Sequence, residues 1–126
     1  MMEREQIIRD YVEAYNNFDV AAMLQNMDDN IVFDNVSDGE VNLSVMGITA
    51  FKDQAQITTS YFTKRKQTIL SLQHTDEVTT EIEIDYYAVL ALDFPNGLKK
   101  GDELKMKGRS VFKFDGDKIV RLRDIS

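Results

Sequence analysis

The sequence lacks cysteine and tryptophan, and its 126 residues include one proline and one histidine. The absence of cysteine excludes disulfides, thiolate metal sites and a cysteine nucleophile, and it fits a reducing compartment. The histidine, His74, stands beside Asp76 and Glu77 near a predicted strand end. A lone histidine is poor evidence for a metal site, because such sites need several ligands. We therefore predict no bound metal.

Long apolar runs and basic charge are also scarce. No stretch approaches the roughly 18 apolar residues of a membrane-spanning helix, and the start of the chain shows no signal-peptide pattern. The net charge is −7, whereas nucleic-acid binding needs a basic surface. The basic cluster Lys64-Arg65-Lys66 falls near a predicted helix C-terminus, where cations favour the helix dipole. We expect a cytoplasmic protein that binds neither nucleic acid nor membranes.

The length and the 43 % of hydrophobic residues predict one domain, residues 1–126, with a real core. Apolar spacing predicts helices over 3–17, 20–27 and 47–66, and strands over 31–36, 68–75, 78–92, 104–114 and 118–126. Residues 37–46 are predicted to form a loop or hairpin, and Gly108 is predicted to mark a bulge. Helices followed by strands indicate the α+β class.

Four segments carry a resemblance to a known superfamily: residues 11–19 (YVEAYNNFD), 28–34 (DDNIVFD), 47–51 (GITAF) and 108–119 (GRSVFKFDGDKI). The chain resembles the nuclear-transport-factor-2-like superfamily in its SnoaL-like branch, which includes polyketide cyclases and ketosteroid isomerases. The resemblance covers nearly the whole chain. It implies a cystatin-like cone, in which a curved antiparallel β-sheet wraps three N-terminal helices around an internal pocket.

The resemblance also implies candidate catalytic residues. The general-base aspartate of ketosteroid isomerases falls at Asp34, and their oxyanion tyrosine falls at Tyr11. Their second oxyanion donor, an aspartic acid, would fall within residues 106–110, which contain no carboxyl group. Arg123-Asp124 resembles the Arg-Asp-Tyr ending of SnoaL-like cyclases, in which the aspartate acts as acid or base. Limonene-epoxide-hydrolase-like members need an Arg-x-Asp pair, and the arginine is missing from Glu83-Ile84-Asp85, so we reject epoxide hydrolysis.

Both aspartates have a structural alternative. Asp34 follows three apolar residues, so it either lies in an apolar pocket, where burial would raise its pKa, or caps the following loop through an Asx turn. Asp124 shares a predicted inward face with Leu122. Because a buried carboxylate needs a partner, Arg109 or Arg123 would pair with it if its role is structural.

Eight apolar or aromatic residues are candidates for the pocket wall, with ordinary core packing as the alternative for each. They are Tyr15, Met27, Phe51, Phe62, Tyr86, Met106, Phe112 and Leu122. On the opposite face of the sheet, Tyr87, Val89 and Ala91 are apolar and predict a homodimer through the outer face.

Two classes of function remain open. The first is an enzyme that binds a small, mostly apolar carbonyl compound and acts on it by general acid–base chemistry of the isomerase or cyclase type, without a cofactor. In it, Asp34 takes a proton, Tyr11 stabilises the oxyanion, and Asp124 returns the proton or orients the substrate. The second is a non-catalytic dimer module that binds a ligand or a protein. A further possibility is that the pocket is vestigial and that the dimer surface carries the role.

Overall fold

The structure, a computed structural model, describes residues 3–126. Met1 and Met2 lie outside these residues, as does the part of the signal-peptide expectation that rests on them. The described residues form α1 (Arg4–Asn16), α2 (Val20–Met23), β1 (Met27–Ser37), β2 (Glu40–Met46), α3 (Ile48–Thr59), β3 (Phe62–His74), β4 (Thr79–Leu90), β5 (Glu103–Asp115) and β6 (Lys118–Ile125). Over residues 3–126, no helix is long and apolar enough to cross a bilayer.

The strands form one curved sheet in the order β2-β1-β6-β5-β4-β3. The predicted α+β cone with three helices is confirmed. One detail differs, because β1 and β6 are parallel while all other neighbours are antiparallel. Parallel neighbours need a long connection, and here β2, α3, β3, β4 and β5 lie between β1 and β6 in the chain.

Residues 37–46, predicted as a loop or hairpin, form a hairpin. The edge strand β2 pairs antiparallel with β1 up to Ser37↔Glu40, across a turn in which Asp38 and Gly39 both have positive φ. Some boundaries differ from the sequence-based prediction: α2 ends at Met23 instead of residue 27, and β1 begins at Met27 instead of residue 31. Helix α3 ends at Thr59 instead of reaching residue 66. The hydroxyls of Thr58, Thr59 and Ser60 each donate to a backbone carbonyl three or four residues earlier. These bonds satisfy carbonyls at the end of the last turn, and the chain then enters β3.

The core fills the space between the helices and the inner face of the sheet. Helix α1 contributes Ile7, Ile8 and Val12, which recur at helical spacing. The sheet contributes fully buried side chains from alternate positions of its central strands: Ile82, Phe112, Phe114, Ile119 and Leu122. Their burial holds α1 across the sheet and leaves the other end of the cone to the site residues.

The outer face of β4 and β5 carries mostly charged side chains. Arg109 pairs with Glu81, Lys107 pairs with Asp85, and the Tyr87 hydroxyl donates to Glu103. Ala91 lies beyond the end of β4. The apolar patch expected on the outer face from Tyr87, Val89 and Ala91 is therefore smaller than predicted. The homodimer stays a prediction.

Gly108 does not form the predicted bulge. It pairs with Ile84 inside an unbroken β4–β5 register that runs from Thr79↔Lys113 to Val89↔Glu103. The reason for a glycine is a close approach of backbone, because a Cβ at this position would lie 3.0 Å from the Ile125 carbonyl oxygen. The glycine therefore lets the end of β6 lie against β5.

Gly108→Ala should lower the free energy of unfolding by about 1–3 kcal/mol, because the added methyl group crowds the carbonyl oxygen of Ile125, a residue that pairs with strands on both sides. Urea denaturation measures the change. Lys105→Ala, an exposed change on the same strand, is the control and should stay within about 0.5 kcal/mol of wild type. Equal stability of Gly108→Ala and wild type would show that the backbone at Ile125 yields freely.

Candidate functional site

Two adjoining cavities lie between the inner face of the sheet and the helices. Cavity one has a volume of about 250 Å³ and extends among α1, α3 and β1. Cavity two has a volume of about 260 Å³ and extends along β3, β4 and β5. Both are lined by Tyr15, Asn35, Thr58 and Asp124. A ligand in either cavity therefore meets the same four side chains.

Asp124 carries the only side-chain carboxyl group among the described residues that line either cavity. On β6 it lies between Asn35 of β1 and Ser110 of β5, and the Ser110 hydroxyl donates a hydrogen bond of 2.7 Å to it. Neither Arg109 nor Arg123 pairs with it, since their partners are Glu81 and Asp34. Burial raises the pKa of Asp124 to about 6, although the Ser110 bond opposes the shift. Asp124 can therefore both take and give a proton near neutral pH.

Tyr11 lies on α1 with its ring edge-on to Phe112 at a centroid distance of 5.8 Å, and it lines cavity one. Burial raises the pKa of its phenol far above the ordinary value, the negative charge of Asp124 adds to the rise, and Arg65 partly offsets it. The phenol is therefore a neutral hydrogen-bond donor rather than a source of protons. A phenol of this kind can donate a hydrogen bond to an oxygen that gains negative charge.

Two further phenols form a pair at the boundary of the cavities. The hydroxyl oxygens of Tyr15 and Tyr86 lie 2.8 Å apart, so one donates to the other. Burial raises the pKa of both, so both stay protonated. The pair leaves one O–H free to donate elsewhere, because a hydroxyl pair holds two donors and uses one in the bond between them.

Arg65 is the site residue that the sequence analysis missed. Its side chain is buried, with 4 % of the residue exposed, and it lines cavity one. Its guanidinium carbon lies 3.8 Å from the Tyr15 ring centroid and 4.5 Å from that of Phe18. Its Nε donates to the Tyr15 carbonyl at 2.8 Å. Arg65 was expected near a helix C-terminus, whereas it lies on β3, where it alternates with the exposed Lys64 and Lys66.

No protein metal site is evident in the described part of the chain. Across residues 3–126, no three His, Asp or Glu side chains lie close enough together to hold a metal ion. The polar side chains of the cavity lining are instead one carboxyl, two guanidinium groups, phenols, amides and hydroxyls. Such a set suits recognition of a polar group on an organic ligand.

Comparison with known proteins decides the family. Residues 8–122 match the model of the SnoaL-like domain. The chain belongs to the SnoaL-like family. No curated protein matches it.

Solved structures of the same fold are similar along nearly the whole chain. A proposed polyketide cyclase from Xanthomonas campestris pv. campestris has 21% sequence identity and a TM-score of 0.81, and the match covers 97% of this chain and 88% of that one. A hypothetical protein with a ketosteroid isomerase-like fold from Catenulispora acidiphila, solved with trimethylamine, has 13% identity and a TM-score of 0.78 over 94% and 83% of the two chains. An uncharacterised cystatin-fold protein from Novosphingobium aromaticivorans has 17% identity and a TM-score of 0.76 over 100% of both. Identities this low show the fold alone.

In this SnoaL-like chain, the expectation that Asp34 lies in the pocket was wrong. Phe33 and Asn35 line cavity one, so Asp34, which lies between them on β1, points to the outer face of the sheet. There it accepts hydrogen bonds from Ser44 at 2.7 Å, Arg121 at 2.7 Å and Arg123 at 3.0 Å. It forms no Asx turn among these bonds, so neither sequence-based interpretation of Asp34 describes it.

The eight predicted wall residues fall into two groups. Five line a cavity: Phe51 cavity one, Tyr15 both, and Phe62, Tyr86 and Met106 cavity two. Met106 is nevertheless 44% exposed. The other three, Met27, Phe112 and Leu122, are buried in the core cluster and line neither cavity. Their inward direction was read correctly, but core side chains fill the space in front of them.

Asp34→Asn should lower the free energy of unfolding by about 1–2 kcal/mol at neutral pH. Burial alone would raise the pKa of Asp34, but the bonds from Arg121, Ser44 and Arg123 outweigh it and hold the pKa at about 2. A lowered pKa means that the ionised form stabilises the fold above about pH 4 and that this stabilisation is lost as the pH falls toward 2. The two arginines are partly solvated, so the effect is smaller than the full shift implies.

Urea denaturation at several pH values measures this difference. The gap between wild type and Asp34→Asn should close as the pH falls below about 4. Asp85→Asn, which breaks the exposed ion pair with Lys107, is the control and should cost at most about 0.5 kcal/mol. A stability gap that persists unchanged at low pH would contradict the ion-pair assignment.

Proposed function

We propose that the cone binds a small, mostly apolar carbonyl compound and that Asp124 moves a proton on it. The proposed reaction is an isomerisation or cyclisation that begins at a carbon next to the carbonyl group. The position of Asp124 carries the proposal: it is the one side-chain carboxyl among the described residues that line the two cavities. Asp34 has no part in it.

The proposed steps use two side chains of the cavity. The ionised Asp124 carboxylate takes a proton from the carbon next to the carbonyl, and the electron pair of the broken C–H bond moves onto the carbonyl oxygen as an enolate. Tyr11 donates its O–H to that oxygen and stabilises the new charge. Protonated Asp124 then returns the proton to a different carbon. Alternatively, the enolate carbon attacks a second carbonyl of the ligand and closes a ring, and the alkoxide that forms takes the proton from Asp124. No redox step is needed.

The walls support the class of ligand. Met23, Phe33, Leu43, Phe51 and Ala55 give cavity one a largely apolar lining. Phe33 and Phe51 pack edge to face at 5.3 Å, which fixes one side of the wall. Pockets for drug-sized ligands span about 300–1,000 Å³. Each cavity, at about 250 or 260 Å³, is smaller than that and suits a ligand of one or two rings. A longer ligand would extend past Asp124 into cavity two.

Asp124→Asn should slow proton transfer by about 100-fold or more, because a positioned general base contributes about 10²–10⁴-fold. The measurement is exchange of the α-protons of 2-tetralone and related cyclic ketones in D₂O, followed by NMR. Asp34→Asn is the matched control, since the same substitution on the outer face should leave the rate within about threefold. A rate retained by Asp124→Asn would remove Asp124 from the mechanism.

The rate should also depend on pH in one direction. The pKa of Asp124, raised by burial to about 6, means that the base form accumulates as the pH rises through that value. We therefore expect kcat/KM for exchange to rise to a plateau above about pH 7. Tyr11, Tyr15 and Tyr86 stay protonated over this range because burial raises the pKa of each. A rate that falls as the pH rises through 6 would show that the protonated carboxyl is the active form.

A non-catalytic binding module is the second candidate, and one observation favours it. Asn35 follows Asp34, the base expected from the sequence, and it lines both cavities. It is an amide, and its side-chain nitrogen donates to the Asn42 side-chain oxygen at 2.9 Å. Asp124 thus works without a second acid or base in the described cavity wall. Ligand binding without any exchange above the uncatalysed rate, equal in wild type and Asp124→Asn, would select this candidate.

A further inference from the structure

The charge of Arg65 has no counter-ion in the described part of the protein. No Asp or Glu oxygen of residues 3–126 lies within 4.0 Å of its guanidinium. The residue is nevertheless 96% removed from solvent, since 4 % of it is exposed. An isolated buried cation is costly, so buried charges are normally paired. The missing anion is the observation to explain.

A purely structural role accounts for only part of the side chain. A guanidinium has five N–H donors. One of them, on Nε, donates to the Tyr15 carbonyl at the end of α1, where a cation also favours the helix dipole. A second group, Nη2, contacts the Met23 sulfur at 3.9 Å, which is a weak acceptor. The remaining donors make no hydrogen bond to the described residues.

At least one of these remaining donor atoms keeps exposed surface. Within residues 3–126, Arg123 Nε is the one fully buried side-chain nitrogen or oxygen without a partner, so Nη1 of Arg65 is not completely enclosed by protein. The space beside Arg65 is cavity one, which it lines. The Tyr15 and Phe18 rings lie over the guanidinium and restrict its movement. Phe18 reaches this place from a left-handed backbone conformation, φ 59°, which is uncommon for a bulky residue.

We propose that cavity one binds a small carboxylate whose two oxygens take the free N–H groups of Arg65. The carboxylate class deepens the proposed function by naming the second polar group of its carbonyl compound. The binding step does not depend on catalysis. The apolar body of the ligand would lie against Met23 and Phe51, and its far end would meet Tyr11 and Asp124, which line the same cavity.

Charge favours a carboxylate over a phosphate. A planar guanidinium matches the two oxygens of a carboxylate with two parallel hydrogen bonds. Arg65 is the only cation among the described residues that line cavity one, so it balances a single negative charge. A phosphate carries about −1.5 to −2 at neutral pH. Near Asp124, in a chain of net charge −7, the extra charge would stay uncompensated.

The first test uses the unaltered protein. Isothermal titration with benzoate, salicylate and 1-naphthoate, and with the matching neutral amides, separates the charge from the ring. We expect at least one acid to bind with a Kd below about 1 mM and its amide to bind at least about tenfold more weakly. Inorganic phosphate should not compete. Equal binding of acid and amide, tighter binding of phosphate, or no binding of any acid at about 10 mM would each overturn the proposal.

Variants then locate the charge. Arg65→Gln should weaken the binding of the tightest-binding acid by at least about tenfold. Arg65→Lys should recover part of this affinity, because it keeps the positive charge but lacks the paired N–H donors of the guanidinium. Lys64→Gln removes the same charge from the exposed neighbour on β3 and should leave the affinity within about twofold. Unchanged affinity in Arg65→Gln would contradict the proposal.

A readout in the unaltered protein covers the case in which Arg65→Gln does not fold. The Nε–H resonance of Arg65, assigned through Arg65→Lys, should shift when the acid is added, while the Arg109 resonance should not. The Asp124→Asn protein separates the two proposals. If it binds the acid but no exchange occurs even in wild type, the proposed function fails and the carboxylate site stands. If exchange occurs in wild type but the acid and its amide bind equally well, the carboxylate site fails and the proposed function stands.

Discussion

The pairing of β6 with two neighbours at the centre of the sheet is the constraint on which the site depends. Parallel to β1 and antiparallel to β5, β6 has no freedom to slip by one residue without turning every side chain to the other face. In this register Arg121 and Arg123 meet Asp34 on the outer face, and Asp124 meets Ser110 on the inner face. One aspartate is therefore ion-paired on the outer face, and the other lines the cavities.

The balance between burial and hydrogen-bond donors shifts the pKa values of these two carboxyl groups in opposite directions. Asp34 is buried among donors, and they hold its pKa at about 2. Asp124 is buried with one hydroxyl donor, and the cost of burying its charge dominates, so its pKa rises to about 6. Arg65 adds a cation to the same cavity, where Tyr15 and Phe18 hold it. The cone thus combines an apolar wall, one carboxyl that titrates near neutrality and one unpaired positive charge.

The sequence was sufficient for the fold and for part of the site. Apolar periodicity predicted α1 and the central strands, and the resemblance supplied the cone; Tyr11 and Asp124 do line cavity one. The prediction for Asp34 failed because three apolar residues before an aspartate do not reveal which face of the sheet the aspartate occupies. The pairing of β1 with β2 and β6 decides that face. Arg65 was missed because a strand start after α3 was read as helix, which hid the alternation of its neighbours. Met27, Phe112 and Leu122 show that inward direction does not separate cavity wall from filled core.

The most direct test is an NMR titration of the side-chain carboxyl carbons, with Asp34→Asn and Asp124→Asn to assign the two signals. We predict a midpoint of about 6 for Asp124 and of about 2 for Asp34. This order would establish Asp124 as the desolvated carboxyl of the cavity and Asp34 as the ion-paired one. A midpoint for Asp124 at or below the ordinary value of about 3.9 would show a solvated or paired carboxyl and would contradict its role in proton transfer.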